Sequence, residues 1–561
     1  MSERDDFDRA FTEELSALDA FFDRRAEAHE HFKLGRQDPD VRRILEAVAF
    51  FSARTRQLAA ANVREAVERL VRGQLDDLLA PVPAAGTLLA LVDEGLGGPA
   101  MIPEGTEVQL TAPDRSIGVF TTRRRLDVLP LRLTALAAPP SANRLALRLD
   151  AWIALRGPLP ALGFYLDVRG SYRDSLRLMT SLRSHVRSAR VAFDEDAPEA
   201  AIEASFSVGA PPPPAEGDGL HPLERIRSFF HFPAQDLFFS VTLPARRQAW
   251  TRAFVYLELD RDAPAELLRV GRQSFQLFAV PIENARRREA APILCDGTKD
   301  SYAITDARAE TAGAGREARA ALCSVEGVYR VGDRGREPIV PGLVADAGAV
   351  YDLLRVRPDE DPDGQQPRVA LRIPGAFEKP CKVIVDARWY QPSFDASAAG
   401  RLTAVLPTRH VVGVRLELAG DLYLSQQSSL VADALGLLHV MALRTRVMLS
   451  RDELVSLLRC LGADRRSHYR RLTDLLKEVR VEEAPGVAGQ GKRIVYTLDY
   501  RREDPDFEGL VRDGLVAAFE DQVAALLDAW IADDVELRRF SEPLPGEARR
   551  PALRVVTGGG S

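Results

Sequence analysis

Apolar residues near the amino end recur at spacings of three and four, which places them on one stripe of a helix. The stripe residues of this first helix are Phe7, Phe11, Leu15, Leu18 and Phe22. The positions between them carry Asp, Glu and Arg. We therefore predict an amphipathic helix at the amino end.

A second helix is predicted to begin at Asp38-Pro39, because an acid can cap the first turn and proline needs no amide partner there. The pattern continues to Pro81 and Pro83, which end it, with a possible break near Asn62. Its apolar positions are Val41, Ile44, Leu45, Val48, Phe51, Val67, Leu70, Val71, Leu75 and Leu78.

Residues 1–82 are thus predicted to be a helical segment, part of a bundle. The local chain offers the two stripes few partners besides each other, so a helix of another subunit could complete the bundle. The candidate partner interface comprises Phe7, Phe11, Leu15, Val41, Ile44, Leu45, Val48 and Phe51.

From about residue 100 the apolar period changes to two, which is typical of strands with one solvated face. We predict two β-rich domains, residues 83–290, with helical insertions, and 291–420. The strand-like runs are 145–155, 237–243, 253–259, 274–280, 368–373, 382–387 and 411–418. The proline-rich segment 209–219 is predicted to be an exposed loop or linker.

The last region, 421–561, again favours helices, at 430–441, 450–462 and 465–478. Ser450 and Glu453 have the spacing of a capping box at the start of the second. Strands at 479–483 and 493–500 around a glycine-rich turn complete the order of a winged helix. The predicted fold class is α+β and multidomain, with a helical bundle, β-rich middle domains and a winged-helix-like C-terminal α/β unit.

Charge and composition narrow the functional classes. The 561 residues are 46% hydrophobic and 28% charged, an ordinary globular balance, and the net charge of −7 provides no general attraction to nucleic acid. Four widely spaced cysteines fit neither a disulfide framework nor a zinc site. The charged amino end is no secretory signal and no apolar run could span a bilayer, so we expect a cytoplasmic protein without membrane insertion.

Two loops resemble ligand sites. Residues 486–492 have the glycine and lysine spacing of a phosphate loop, but Arg493 supplies no hydroxyl for magnesium and a strand follows. We therefore favour a hairpin turn. Residues 359–364 copy the first half of a calcium loop, yet Ala370 stands where a bidentate glutamate is needed. A solvated acidic turn is favoured, and calcium binding remains open.

No other motif in the sequence indicates a catalytic or metal-binding site. His29 and His31 would point to different sides of a helix, and no nucleophile elbow, metalloprotease motif or complete dinucleotide fingerprint occurs. We expect no enzyme activity, no cofactor, no metal site and no small-molecule substrate, although a hydrolase with catalytic groups from distant segments stays open.

Two clusters have competing interpretations. Five aromatic residues around Pro233 could form a docking surface, but core packing is favoured. They are Phe229, Phe230, Phe232, Phe238 and Phe239. A basic cluster would suit a recognition helix and wing on DNA, or a solvated face, or a surface for an acidic partner. It contains Arg465, Arg466, His468, Tyr469, Arg470, Arg471, Lys492 and Arg493.

Several segments taken in order resemble the TssF family, baseplate subunits of bacterial type VI secretion systems. They are 38–54, the P-x-G-T turn at 103–106, the F-x-T strand at 120–122 with 128–131, the F-x-F-P and L-F-F pattern at 230–233 and 237–239, and the strand 275–284. The sequence departs from the family at Ala279 and Val280, where Cys and Thr are usual, and matches loosely after about residue 335.

The resemblance implies a structural subunit of a baseplate wedge, built with a TssG-like subunit and a second copy of this chain around a VgrG-type spike. A TssK-like subunit would link the wedge to the membrane complex at the inner face of the inner membrane, and the wedge would couple to the sheath. Residues 7–79 would then join a mixed bundle with the TssG-like partner. A winged-helix DNA-binding regulator and a component of another phage-like contractile injection system remain alternatives.

Overall fold

The structure is a computed structural model of the chain. It describes residues 3–28, 39–137, 143–194, 201–209, 221–261, 263–264, 267–307, 317, 319–332, 335–342, 348–356, 366–398, 400–432, 434–464, 467–485, 492–531, 534–538 and 553–554. The fold is mixed α+β and rich in strands. The proline-rich segment at 210–219, His29, His31, Arg465 and Arg466 and the loops 359–364 and 486–491 lie outside the described residues.

The described residues form nine α-helices: α1 Glu3–Ala28, α2 Pro39–Leu79, α3 Tyr172–His185, α4 Pro222–His231, α5 Ala434–Arg444, α6 Arg451–Cys460, α7 Arg470–Leu475, α8 Phe507–Arg512 and α9 Leu515–Trp530. Both predicted N-terminal helices are confirmed. The predicted break near Asn62 is wrong, because α2 runs through it. The three alanines before Asn62 have the highest helix propensity and offset the asparagine.

Strands make up most of the body. In chain order they are β1 Ala85–Val92, β2 Ala100–Ile102, β3 Glu107–Thr111, β4 Ile117–Thr122, β5 Leu126–Val128, β6 Leu131–Ala137, β7 Arg144–Gly157, β8 Leu162–Leu166, β9 Val186–Phe193, β10 Ile202–Val208, β11 Phe238–Thr242, β12 Arg246–Leu259, β13 Phe275–Leu277 and β14 Ala279–Glu283. They continue with β15 Arg286–Glu289, β16 Ile293–Cys295, β17 Tyr302–Ala303, β18 Ala321–Gly332, β19 Gly335–Pro341, β20 Val350–Val356, β21 Gln366–Arg372, β22 Cys381–Tyr390, β23 Thr403–Val405, β24 Val414–Tyr423, β25 Leu476–Pro485, β26 Lys492–Tyr500, β27 Asp534–Arg538 and β28 Leu553–Arg554.

A small closed barrel lies where distant parts of the chain meet. Its strand order is β1-β14-β4-β3-β23-β24, so strands from residues 85–92, 107–122, 279–283 and 403–423 contribute. Closure leaves the barrel without a free edge. The barrel takes strands from both sides of the predicted boundary at 290, and the boundaries at 82, 290 and 420 stay a prediction.

A second sheet has the order β13-β8-β11-β10-β9-β12-β7-β6, with β2 and β5 forming a separate pair. Its long strands β7 and β12 confirm the strand periods at 145–155 and 253–259. The run at 274–280 is divided between β13 and β14, because Phe278 between them has a positive φ of 58°. The aromatic cluster is core and not a docking surface, since all five of its side chains are buried against this sheet and the helices beside it.

A third sheet has its own core. Its order is β15-β22-β18-β19-β20-β21-β17, and β16 adds to β22 outside this path. The strands at 368–373 and 382–387 are confirmed as β21 and β22. Buried side chains including Val328, Val369, Val383 and Trp389 fill one cluster that is separate from the main core.

The C-terminal region has the predicted order of three helices and a hairpin, α5, α6, α7, β25 and β26, with further elements after it. The capping box is confirmed, with Ser450 and Glu453 bonding each other's amides at the start of α6. The third helix is shorter than the predicted 465–478: α7 ends at Leu475, because the fully buried Leu476 already pairs with Tyr500 in the β25–β26 hairpin. Helices α8 and α9 follow, and β27 then joins β26 in parallel.

Candidate assembly surface

Helices α1 and α2 pack against each other through polar contacts as well as apolar ones. Ser52 donates a hydrogen bond to the carboxylate of Glu14 over 3.0 Å, and Arg56 reaches Glu13 at 3.2 Å. The rings of Phe7 and Phe50 meet edge to face with centroids 5.4 Å apart. The first helix therefore covers one side of the second within the same chain.

The residues of the candidate partner interface divide between covered and uncovered positions. Phe7, Phe11, Leu15 and Val41 are half-buried, and Leu45 is only 8% exposed. By contrast, the exposed fractions of three side chains on α2 are large, at 63% for Ile44, 46% for Val48 and 69% for Phe51. The chain covers the α1 stripe in part and leaves much of the α2 stripe in solvent.

The uncovered residues of α2 are regularly spaced. Ile44, Val48 and Phe51 are four and three positions apart, and the exposed Leu58 lies one heptad after Phe51. Apolar residues at alternating spacings of four and three form the seam of a coiled coil. Leu58 was missed by the sequence reasoning, although its heptad spacing is visible in the sequence. We call Ile44, Val48, Phe51 and Leu58 the α2 seam.

The carboxyl end of α2 is fixed in the body of the protein. Leu78 and Leu79 are buried, and the carbonyl of Leu78 accepts a hydrogen bond of 2.6 Å from Ser428. The guanidinium of Arg227 donates to the carbonyl of Ala80 over 2.7 Å. The last turn of α2 is therefore anchored in the body of the protein. The α2 seam lies in the amino-terminal half of the same helix.

Beside this anchor, a buried ionic cluster joins α4, the barrel and the third sheet. Arg388 of β22 bonds Glu283 of β14 at 2.8 Å and also Glu224 of α4, and Arg123 lies 3.6 Å from Glu283. Burial opposes ionisation of Glu283, but the charges of Arg388 and Arg123 outweigh it and lower its pKa. With each of these carboxylates paired to arginine, the arrangement suits a structural junction rather than acid or base catalysis.

The described basic residues near α7, which do not include Arg465 and Arg466, are largely neutralised by acidic partners. Arg471 bonds Asp504 at 2.8 Å, Lys492 bonds Glu483 at 2.8 Å and Arg493 bonds Glu536 at 2.7 Å. Tyr469 is fully buried, where its hydroxyl bonds that of Tyr172. A recognition helix needs unneutralised side chains that reach into a groove, so DNA binding is not favoured.

The two loops that resemble ligand sites, 359–364 and 486–491, lie outside the part of the chain that the structure describes. Within it, no group of three or more His, Cys, Asp or Glu side chains is placed to hold a metal ion. The strands on either side of 486–491 pair antiparallel from Pro485 and Lys492, as expected for a hairpin. None of the described helices combines the length and the apolarity needed to cross a membrane.

Comparisons with known proteins agree with the fold. One solved structure, a type VI secretion system TssK-TssF-TssG baseplate subcomplex, matches with a TM-score of 0.62 at 16% identity, covering 90% of this chain and 100% of that one. A second, the baseplate complex from the type VI secretion system, matches with a TM-score of 0.58 at 18% identity, covering 95% and 97%. No curated protein matches. The sequence model of the family described as type VI secretion system, TssF, matches residues 3–358, so the chain belongs to that family.

Proposed function

We propose that this chain is a structural subunit of a type VI secretion baseplate wedge that assembles with a TssG-like partner through the α2 seam. The family assignment supports a baseplate role, and the solved structures with this fold come from baseplate complexes. The wedge would surround a VgrG-type spike and couple the baseplate to the sheath. No bond-making step is assigned to the chain.

The exposure of the α2 seam carries the proposal. Burying a large apolar side chain contributes about 1.5–3 kcal/mol, so leaving Ile44, Val48 and Phe51 in solvent forgoes that stabilisation in the isolated chain. The regular four-and-three spacing fits a helix of matching period better than a flat surface. The partner segment is therefore an amphipathic helix, which this proposal assigns to the TssG-like subunit.

The remaining partners follow from the same proposed role. A TssK-like subunit would connect the wedge to the membrane complex, and a second copy of this chain would occupy the other position around the TssG-like subunit. This places the protein in the cytoplasm, at a baseplate docked on the inner face of the inner membrane. The neighbouring structure that contains TssK, TssF and TssG together supports the choice of partners.

Co-expression with the TssG-like product of the same locus tests the interface. The double variant Ile44→Glu/Phe51→Glu should lose co-purification, because it places two charges within an apolar seam. Phe377→Glu is the matched control, since Phe377 is 77% exposed in the turn between β21 and β22 and is not part of the α2 seam. It should co-purify like the unchanged chain.

Two results would contradict the proposal at different levels. Undiminished co-purification of the double variant would exclude the α2 seam as the interface while leaving the baseplate role intact. A wild-type chain that stays a monomer in the presence of both TssG-like and TssK-like products would contradict the baseplate role itself.

A further inference from the structure

Two of the four cysteines, which are far apart in the sequence, face each other across a strand pair. Cys295 at the end of β16 is the direct partner of Cys381 at the start of β22. Neither forms a disulfide in the structure, and because the two residues are directly opposite on antiparallel strands, their side chains lie on the same face of the sheet. The scattered spacing in the sequence gave no sign of this pair, because β16 and β22 meet only through the topology of the third sheet.

The strand register gives the two cysteines a backbone spacing that is compatible with a disulfide. Directly opposite residues of an antiparallel pair have Cα atoms about 4.5–5.5 Å apart. A disulfide is compatible with Cα separations of about 4.4–6.8 Å. The bond could therefore form by rotation of the two side chains without a change in strand register.

The two thiols differ in accessibility. Cys381 is half-buried, whereas Cys295 is buried. Cys295 also lines an open pocket of about 530 Å³ together with Gly297, Gly348 and Phe377. The partly exposed Cys381 is therefore the thiol that a small reagent in solvent meets first.

We propose that Cys295 and Cys381 are a reversible thiol pair, which closes to a disulfide by exchange with a small-molecule disulfide such as oxidised glutathione. Cys381 loses its proton to solvent, and its thiolate forms a bond to one glutathione sulfur while the other glutathione leaves as a thiolate and takes up a proton. Cys295 then loses its proton to solvent, its thiolate attacks the Sγ of Cys381, and the second glutathione leaves as a thiolate that takes up a proton. Two cysteines are oxidised and one glutathione disulfide is reduced to two thiols.

The local charges set the rate of the first step. Burial raises the pKa of Cys381, so little thiolate is present at neutral pH, while the guanidinium of Arg330 acts in the opposite direction. The pair should consequently stay reduced under ordinary reducing conditions and respond to sustained oxidation.

Formation of the disulfide would stabilise the third sheet against unfolding. β16 is held to β22 by three residue pairs that begin at Ile293 and end at the two cysteines. A bond there would close a loop of chain that contains β17, β18, β19, β20 and β21, and long closed loops restrict the unfolded chain most strongly. The oxidised protein should therefore unfold at a higher temperature than the reduced one.

The test uses the full chain equilibrated in mixtures of reduced and oxidised glutathione. Free thiols are then alkylated under denaturing conditions, and peptides are identified by mass spectrometry. The expected product is a peptide pair linked through Cys295 and Cys381, with both thiols lost together. In Cys295→Ser, Cys381 should instead retain one glutathione, because no second thiol is present to expel it. Cys460, in α6, reports modification without pair formation.

Several outcomes would overturn the proposal. One is a wild-type protein in which Cys381 carries glutathione while Cys295 remains alkylatable. Another is a pair that stays fully alkylated in mixtures that already modify Cys460. If Cys295→Ser fails to fold, the wild-type experiment alone still decides, since it depends only on whether the linked peptide forms.

Discussion

Asn284 and Gln391 bind each other reciprocally inside the protein. The amide of Asn284 donates to the side-chain oxygen of Gln391 over 3.0 Å, and the backbone amide of Gln391 donates to the side-chain oxygen of Asn284 over 2.6 Å. Val119 of β4 joins them by accepting from Asn284 and donating to Gln391. This buried network connects the barrel to the end of β22, and every polar group in it has a partner.

Asn284→Asp should destabilise the protein strongly. A carboxylate would replace the donor that faces Gln391 and Val119 with an acceptor, leaving buried oxygens opposed to one another. We expect a loss of roughly 2–4 kcal/mol in the free energy of unfolding, from two unsatisfied groups. Urea denaturation measures it, and Asn62→Asp on the exposed side of α2 is the control. Equal losses in both variants would contradict the assigned role of the network.

The ionic junction at Arg388 leads to a second prediction. Arg388→Met would leave Glu283 and Glu224 without their central cation. Removing one partner of a buried ion pair costs about 3–5 kcal/mol. Arg330→Met is the matched control, because Arg330 and Glu337 form a partly exposed pair at 3.0 Å on the third sheet. Exposed pairs contribute about 0–1 kcal/mol.

Thermal or urea denaturation of both arginine variants compares the loss of stability at the buried junction with the loss at the partly exposed pair. If Arg388→Met loses no more stability than Arg330→Met, the cluster is not the junction inferred above. Arg388→Met should also remove the ion pair between α4 and β22 of the third sheet. The backbone amides of β22 should then exchange their hydrogens faster.

His231 should make stability depend on mildly acidic pH. Burial lowers the pKa of His231 from 6.5 to about 4, with the nearby Arg227 acting in the same direction. The unfolded chain therefore takes up a proton below pH 6.5 that the folded chain accepts only near pH 4. Stability is fully present above pH 6.5 and falls as the pH drops towards 4, by about 3 kcal/mol in total.

Urea denaturation between pH 7 and 4 measures that loss. His231→Gln should flatten the dependence over this range, whereas His410→Gln should not, because His410 is exposed. Glu283 adds a loss at lower pH, since its lowered pKa contributes stability that disappears as its folded form is protonated. The difference between wild type and His231→Gln isolates the histidine. If the free energy of unfolding of His231→Gln still falls with pH as steeply as that of the wild type, groups other than His231 cause the pH dependence.

Local signals in the sequence predicted local structure well. The stripes of α1 and α2, the end of α2 before Pro81 and the capping box of Ser450 all depend on neighbours within one or two turns. The burial of the five aromatic residues was also predicted, from the tendency of clustered phenylalanines to pack in a core.

Features that depend on distant segments were not predicted. Periodicity cannot show that β1, β14 and β24 are neighbours in a barrel, or that Cys295 faces Cys381. The end of α7 was missed for a related reason: Leu476 has a good helix propensity, but its pairing with Tyr500 and its burial decide its structure. For the candidate interface, the sequence showed which residues are apolar, while the position of α1 determines which of them stay uncovered.

The packing of α1 on α2 should determine how the α2 seam is presented. Ala49 and Ala53 are fully buried outside the main core, one helical turn apart, on the side of α2 where Ser52 meets Glu14. Small side chains there let the helices approach closely. Ala53→Leu should force them apart at a cost of about 1–3 kcal/mol. The main core does not include these residues, so most of the effect should fall on α1.

Hydrogen exchange checks this directly. Amides of α1 should exchange faster in Ala53→Leu, while those of the barrel keep their protection. Ala47→Leu is the control, because Ala47 is exposed on the same helix. If Ala47→Leu releases α1 as much as Ala53→Leu does, α1 is not held by close packing. The α2 seam would then have to be positioned by the anchored carboxyl end of α2 alone.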